Sequence, residues 1–594
     1  MAGPLERNAL LGVTASACGR RWVDRLPEGA LRLVHGLAER LDIPEIVARV
    51  LLARGVDPDD AEAFLEPRLR DTMPDPRSLT DCQAAAARIV QAITTGERVG
   101  IFGDYDVDGA TSSALLHRFL SHFGLRADIH IPDRIFEGYG PNDAAFEKFA
   151  ADGCALVVTV DCGTLSHDTI AHARAMGLDV VVIDHHQAGE TLPDANALVN
   201  PNRADDISGQ GHLAAVGVVF LVVVEAARQL REAGRTDLPN LMGWLDLVAL
   251  GTVADVVPLT GLNRAFVAQG LKILHRRESP GLRALCDASR MRDAPTPYHL
   301  GFLLGPRINA GGRIGDAGLG ARLLTTLDDT EAGRIAALLD QLNGERQAME
   351  KEALEDAMGQ AEGLAAADAA VILVSSDDWH PGIVGLIAAR LKEKFRKPAI
   401  AVTFSGGGAG AGSARSLIGV DIGRAIRGAV DAGHLVKGGG HAMAAGLTVE
   451  RERLAHLGDH LNGLLAEAVA QASARDDMKI DGALTAGAAT IELVTALERA
   501  GPYGTGHAEP TVVLPSHRLT FVEETAQGHV RLALASAGGD KIQGIAFRAG
   551  DAPLGDFLKA RRGSNIHAAG SLRINRWGGS QSVQLQLRDA ADPA

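Results

Sequence analysis

The stretch Val99-Gly100-Ile101-Phe102-Gly103-Asp104-Tyr105-Asp106-Val107-Asp108-Gly109 sets a short apolar run directly before three carboxylates in five positions. Carboxylates so close repel one another strongly unless a cation neutralises them. The first six residues of Asp104–Leu115 match an EF-hand calcium loop. The twelfth position of such a loop is a bidentate Glu, and here it is Leu115. Val99–Phe102 also reads as a buried strand, which points away from helix-loop-helix. The acidic run therefore reads as the turn after a strand.

Outward from this turn, apolar runs alternate with amphipathic stretches. Ala110–Phe123, Asp143–Ala151 and Asp168–Met176 predict helices, and Ile129–Ile131, Ala155–Val160 and Val180–Ile183 predict strands. The alternation implies right-handed βαβ units and an α/β fold with a parallel sheet. The strand ends of an open parallel sheet face one crevice, where ligands bind. Asp161 follows Ala155–Val160, and Asp184-His185-His186 follows Val180–Ile183. Asp255 follows the apolar run Leu247–Val253, read as a comparable position. A lone Asp after a strand is usually a helix cap. Four such loops together, with about six oxygen donors and one or two imidazoles, describe a hard-cation site instead. Such ligands suit Mn²⁺ or Mg²⁺ better than thiolate-held zinc. Two ions about 3.5–4 Å apart could activate water and clamp a phosphoryl group. The reaction class reached from the residues is metal-assisted phosphoester hydrolysis.

The chain has 594 residues, which predicts about three or four domains. A net charge of −15 argues against coating nucleic acid or membrane by bulk charge, and leaves room for a local basic groove. The five cysteines show no C-x-x-C spacing, so a disulfide scaffold is not expected and a reducing compartment fits. The longest apolar run, Leu213–Val224, has 12 residues, against roughly 20 for a membrane span. Ala9–Cys18 lacks the net basic flank of a signal segment. A cytoplasmic location without membrane association is expected.

Residues 1–85 hold no constellation of chemistry, and 86–330 form the catalytic α/β domain. Residues 331–365 predict a long connecting helix, capped by Thr330, with Ile335, Leu338, Leu339 and Leu342 at helical spacing and a charged second half. Residues 366–472 predict a smaller α/β domain, in which Gly406–Gly412 reads as a flexible turn. After the polar linker Ser473–Asp477, residues 473–594 predict a small β-barrel. Between positions 541 and 577 there are seven Lys or Arg against two Asp, a basic module in an acidic chain.

These motifs resemble those of the DHH phosphoesterase superfamily: Asp104-x-Asp106-x-Asp108-Gly109, Asp161 in Thr-Val-Asp-Cys-Gly, Asp184-His185-His186 and Ala254-Asp255-Val256-Val257-Pro258. Trp379–Gly385, Ser413-Ala414-Arg415-Ser416 and Gly438-Gly439-Gly440-His441 resemble its DHHA1 domain. Phe64–Pro67, Pro132-Asp133-Arg134, Gly138-Tyr139-Gly140, Pro306–Ala310, Gly501–Gly504 and Asn575-Arg576-Trp577 are similar to the branch of bacterial single-strand-specific exonucleases. The resemblance runs in order over about residues 60–590. The His that usually precedes the first Asp is absent, which favours that branch over the small-nucleotide phosphatases. Gly506–Glu509 and Trp577-Gly578-Gly579 depart from its pattern.

The resemblance implies a fold of a DHH Rossmann-like parallel-sheet domain, a connecting helix, a DHHA1 domain and an OB-fold barrel. It implies 5′-to-3′ removal of mononucleotides from single-stranded DNA with two Mn²⁺ or Mg²⁺ ions, in recombination and repair. Asp106 and Asp161, with Asp104 near, would hold the first ion. Asp108, His185, Asp255 and the bridging Asp161 would hold the second, and His186 would contact the scissile phosphate. Ser413 and Arg415 would take the 5′-terminal phosphate. Arg134, Tyr139, Arg307, Asn309, Arg313, Gly439, Gly440, His441, Arg576 and Trp577 would bind the strand. A monomer working with a single-strand-binding protein and a helicase is expected.

Tyr105, Tyr139, Tyr503, Trp379 and Trp577 fall inside these motifs and suit stacking platforms, with core packing the alternative for Trp379. Trp244 is expected in the core. Two other functions are weighed. A phosphodiesterase of short oligonucleotides or cyclic dinucleotides needs neither the N-terminal segment nor the basic barrel. An inactive replication scaffold would be expected to lack ligands that this chain retains.

Overall fold

The computed structural model describes residues 8–134, 136–474, 477–577 and 580–593. The linker Ser473–Asp477 lies partly, and Gly578-Gly579 wholly, outside them. Two compact units do not follow chain order: one joins Met73–Val257 with Phe266–Arg475, the other Met1–Thr72 with Pro258–Ala265 and Asp476–Ala594.

The first unit contains a five-stranded parallel sheet. Its strands are β1 (Val99–Gly103), β2 (Ala127–His130), β3 (Leu156–Val160), β4 (Asp179–Ile183) and β5 (Ala197–Val199), in the order β2-β1-β3-β4-β5. The central strands are buried throughout, which their unbroken apolar runs require in a sheet covered on both faces. The chain leaves β1 toward β2 on one side and later returns to lay β3 on the other. The switch opens a crevice at the carboxyl ends of β1 and β3. Helices α1 (Val107–His122), α2 (Ala215–Glu232) and α3 (Leu245–Ala254) belong to this unit, as does α4 (Gly305–Ile314), entered through a π-helical turn, His299–Leu304.

Helix α5 (Asp329–Ala366) is capped by Asp328, whose carboxylate accepts from the N–H groups of Thr330 at 2.7 Å and Glu331 at 3.1 Å. The cap therefore lies two residues before the Thr330 expected. A second sheet follows, from β6 (Ile372–Ser376), β7 (Ala399–Thr403), β8 (Gly410–Arg415), β9 (Lys437–His441) and β10 (Ala444–Val449) in the order β9-β10-β8-β7-β6. Gly410–Gly412 open β8, so only the first half of the glycine-rich segment is a turn. Trp379 is buried at 3% exposure and packs into this core, which rules it out as an open stacking platform. Trp244 is half-buried.

In the second unit, Val512–Glu524, Val530–Ala535, Lys541–Ala546, Ser580–Ala591 and Asn565–Trp577 close into a five-stranded OB-type barrel, the first strand pairing with the last. Trp22–Asp24 pairs in parallel with Met478–Ile480. Leu37, Val50 and Leu51 share one core with Leu497, Leu514 and Leu532. The N-terminal residues thus have a packing role beside the barrel. Arg264 lies 3.7 Å over the Phe64 ring and donates to the carbonyls of Phe64 at 2.6 Å, Ala500 at 3.3 Å and Gly501. His507 stacks on Tyr503 at 5.0 Å, and the Tyr503 hydroxyl donates to the Leu497 carbonyl. Tyr503 is half-buried against that core, and His507, at a departure from the family pattern, packs on it. Among the described residues no helix is long and apolar enough to cross a membrane.

Candidate active site

Each arm of the crevice is set by local chemistry. Asp106 caps α1, one oxygen accepting from the N–H groups of Asp108 at 2.9 Å and Gly109 at 3.1 Å. Both bonds use Asp106 Oδ1, so its second oxygen stays available. A side chain at Gly109 would lie 2.2 Å from the Asp104 carbonyl, so the turn admits only glycine. Asp108 is buried and accepts from the first N–H groups of α2, Ala215 at 2.6 Å and Val216 at 3.0 Å. Asp161 follows β3 in the left-handed region, φ 63°, and is 2% exposed.

Asp255 arrives differently from expectation. It sits at the C-terminal end of helix α3, not at a strand end. A short unbroken apolar run carries no periodicity that separates a buried helix from a strand. Helix α3 approaches closely because Gly251 has no side chain: a Cβ there would lie 2.4 Å from Thr111 Oγ1.

His185 Nδ1 lies 3.0 Å from the Leu213 carbonyl. A carbonyl only accepts, so Nδ1 carries the proton and Nε2 presents a lone pair. Nε2 lies 3.3 Å from Asp161 Oδ1, 3.6 Å from Asp255 and 4.0 Å from Asp108. Both Nε2 and Asp161 Oδ1 are buried without a hydrogen-bond partner. Two acceptors facing each other in that way call for a cation between them. Ligand atoms of Asp104, Asp106 and Asp161, of Asp108, His185 and Asp255, and of Asp161, His185 and His186 each lie within 4.8 Å of one another. The donor set, carboxylates with one or two imidazoles, fits a hard divalent ion.

The electrostatics agree. Burial, then the charge of Asp106, raises the Asp104 carboxyl well above its usual range and takes Asp108 up to about 7. Burial and neighbouring carboxylates raise Asp161, and take Asp255 to about 9. Burial and the charge of His186 lower His185 to about 4, keeping it neutral and able to ligate. Burial would lower His186 too, but its Nδ1–H bond to Asp184 at 2.8 Å and that carboxylate's charge raise it to about 9.

Asp184 appears in the sequence motif without a role. It is buried and accepts from Thr164 N–H and from the backbone and ring of His186, so it holds both histidines in place. Asn200 and Asn202 donate to the carbonyls of His186 and His185 at 2.9 and 2.5 Å. No local signal marked them. They lie beyond β5, and only the fold brings them back.

Around the acid cluster, the Tyr139 hydroxyl lies 3.4 Å from His186, whose ring is parallel to that of His441 at 6.3 Å. Arg134 lies 5.1 Å over the Tyr105 ring. Arg313 donates to the Gly382 carbonyl at 3.0 Å, and Arg415 to Ser413 Oγ at 2.8 Å. Burial, with Arg134, Arg346 and Arg415 near, lowers Arg313 to about 10. None of Arg134, Arg313 and Arg415 has an acidic partner among the described residues. Gly439 and Gly440 lie on β9, and Gly440 takes φ 149° where a side chain would strike Ala444. Arg307 pairs with Asp340 at 2.8 Å and donates to the Leu303 carbonyl. Asn309 is half-buried on α4. Arg576 is exposed on the barrel of the other unit, and the side chain of Trp577 lies outside the described residues.

Comparison with known proteins follows the same division of the chain. Residues 98–252 match the N-terminal domain of the DHH family, 368–467 the DHHA1 domain and 480–589 the RecJ OB domain. The single-stranded-DNA-specific exonuclease RecJ of Dickeya dadantii is 36% identical over 92% of this chain and 96% of its own. The Thermus thermophilus RecJ structure with Mn²⁺ superposes with TM-score 0.78 at 28% identity, covering 96% of this chain and 79% of that one. The Mg²⁺ form of that protein gives 0.73 at 27% identity, covering 96% and 78%. Three domains in register, and identity running through nearly the whole of both chains, place the protein in the RecJ family of DHH/DHHA1 phosphoesterases.

Proposed function

We propose that the protein is a single-stranded-DNA-specific exonuclease. It removes mononucleotides from the 5′ end with two Mn²⁺ or Mg²⁺ ions, in DNA recombination and repair. In the cell it would act in the cytoplasm as a monomer, with a single-strand-binding protein and a helicase as partners. The reading is carried by the two buried, facing acceptors, Asp161 Oδ1 and His185 Nε2, at the centre of the acid cluster. Asp104, Asp106 and Asp161 would hold one ion, and Asp108, His185 and Asp255, sharing Asp161, the other. Two ions held there would supply Lewis acidity toward the scissile phosphoryl group and a water of lowered pKa.

The chain's own residues supply the rest. Asp184 accepts from His186 Nδ1–H and so orients the ring, and a proton on Nε2 would be donated to a non-bridging oxygen of the scissile phosphate. Arg134, Arg313 and Arg415 are suited to a dianionic terminal phosphate, with Ser413 bonded to Arg415 and its hydroxyl proton free to donate. Water adds to phosphorus as the P–O3′ bond breaks, leaving a 3′-hydroxyl on the nucleotide released and a 5′-phosphate on the shortened strand. Each turnover thus regenerates the group that the arginines bind. Of the seven basic residues in 541–577, Lys559, Arg561 and Arg573 are paired with Glu524, Asp592 and Glu509. Lys541, Arg548, Arg562 and Arg576 remain exposed without acidic partners among the described residues, and supply the barrel's grip on a strand.

A single-stranded oligonucleotide labelled at either end and incubated with Mn²⁺ tests this reading. Mononucleotides are expected first from the 5′ end, and none from Asp161→Ala protein. Release from the 3′ end, or cleavage confined to di- and trinucleotides, would overturn it.

A further inference from the structure

Two surface features of the catalytic unit take no part in the acid cluster or the arginine pocket. One is the π-helical turn His299–Leu304. Its Leu300 and Leu304 are buried, whereas Tyr298 is 55% and Phe302 69% exposed. Their rings stack on each other at 5.2 Å and 21°. The turn lies against the end of the helix that delivers Asp255: a Cβ on Gly301 would be 3.4 Å from Val253, and one on Gly305 3.4 Å from Ala254. Val256, next along, is exposed and held at φ 63°, which is costly for a β-branched residue. Strained and π-helical backbone both concentrate at functional sites.

The other feature is a groove of about 460 Å³ whose lining includes Arg277, Asp287, Arg290, Arg292, Asp293 and Pro295, with Arg277 paired to Asp287 at 2.6 Å. Arg290 and Arg292 are exposed and have no acidic partner among the described residues. Arg277 and Arg290 occupy left-handed positions, φ 54° and 57°, just past helix ends where Gly or Asn is favoured. Local propensity does not explain arginine there. Pro295 is three residues from Tyr298, so groove and ring pair lie within about 11 Å of each other along the chain.

We infer that the ring pair and the groove form a track for single-stranded DNA on the catalytic unit, bases stacking on Tyr298 and Phe302 and phosphates passing Arg290 and Arg292. Exposed rings beside unpaired guanidinium groups bind base faces and phosphates together. A single strand offers its base faces and a duplex does not, so the track discriminates between them. The inference rests on the exonuclease reading above.

Steady-state kinetics with Mn²⁺ on a single strand of about 30 nucleotides tests it. Tyr298→Ala/Phe302→Ala protein is expected to raise KM about tenfold or more with kcat within about twofold. Tyr298→Trp/Phe302→Trp protein is expected to keep KM near that of the unaltered protein, because any aromatic face serves. Arg290→Glu/Arg292→Glu protein is expected to flatten the slope of log affinity against log salt by about 1.4, for two lost phosphate contacts. Unchanged KM and slope, while the unaltered protein still digests the strand from its 5′ end, would overturn the track and leave the exonuclease reading standing. No cleavage of any single strand by the unaltered protein would overturn both.

Discussion

Asp161 in the catalytic unit and Asp481 beside the barrel are both almost fully buried, at 2% and 0% exposure. Their surroundings are opposite. Asp481 accepts from Thr511 N–H at 2.8 Å, from both terminal nitrogens of Arg54, and pairs with Arg25 at 3.1 Å. Asp161 Oδ1 has no hydrogen-bond partner, and its neighbours are other carboxylates and an imidazole lone pair. A satisfied buried carboxylate fixes structure, whereas an unsatisfied one holds unfavourable energy that a cation relieves. Asp184 shows the same contrast within the active site. It is as buried as Asp161, yet its hydrogen bonds and the charge of His186 outweigh burial and hold its carboxyl below the usual range. Burial alone does not mark a functional acid. A buried carboxylate oxygen with no hydrogen-bond partner, facing other acceptors, does.

The contrast can be broken in four ways. Asp161→Ala should lower exonuclease kcat about 10³-fold, equivalent to about 4 kcal/mol of transition-state stabilisation, because both ions lose a ligand. Asp481→Ala should instead destabilise the fold by about 3–5 kcal/mol, since Arg54 and Arg25 lose their shared partner, and urea unfolding would measure it. A third effect comes from pH. In metal-free protein, Asp108 and Asp255 titrate near 7 and 9, above their unfolded values, so the folded state binds more protons across that range. Stability that is full below the unfolded carboxyl value of about 4 should therefore fall progressively as pH rises to about 7 and 9, by several kcal/mol in all. His186, raised to about 9, acts with the same sign. Saturating Mn²⁺ should abolish the decline, as unfolding midpoints at several pH values would show. Smallest is Asp161→Asn, which should stabilise metal-free protein at pH 8 by about 1–2 kcal/mol while inactivating it, the usual opposition of stability and activity. Destabilisation there would mean that the acid cluster is internally satisfied.

Much of the catalytic sheet was legible because βαβ units are local. Each strand, its following loop and its helix lie within about 30 residues, and the loop residues are the ones that converge. Asp255 was legible as a residue but not as a position, because a helix with eight of its ten residues buried reads like a strand. Arg307 was legible as part of a motif, but its ion-pair partner Asp340, on a helix that begins some 20 residues later, was not. The role of the N-terminal residues was out of reach. Trp22 pairs with Met478, and Phe64 meets Arg264 and His507. No local period encodes such pairings. Those same contacts give Phe64–Pro67 and Gly501–Gly504, motifs without evident chemistry, a structural reason to exist.

The central claim is that the unsatisfied acids are a two-ion site. Calorimetric titration of Mn²⁺ into the full chain tests it most directly. Two ions per chain in the unaltered protein, and loss of that stoichiometry in Asp161→Asn protein, is the result expected. Two ions retained by Asp161→Asn protein, or none bound by the unaltered chain, would contradict it.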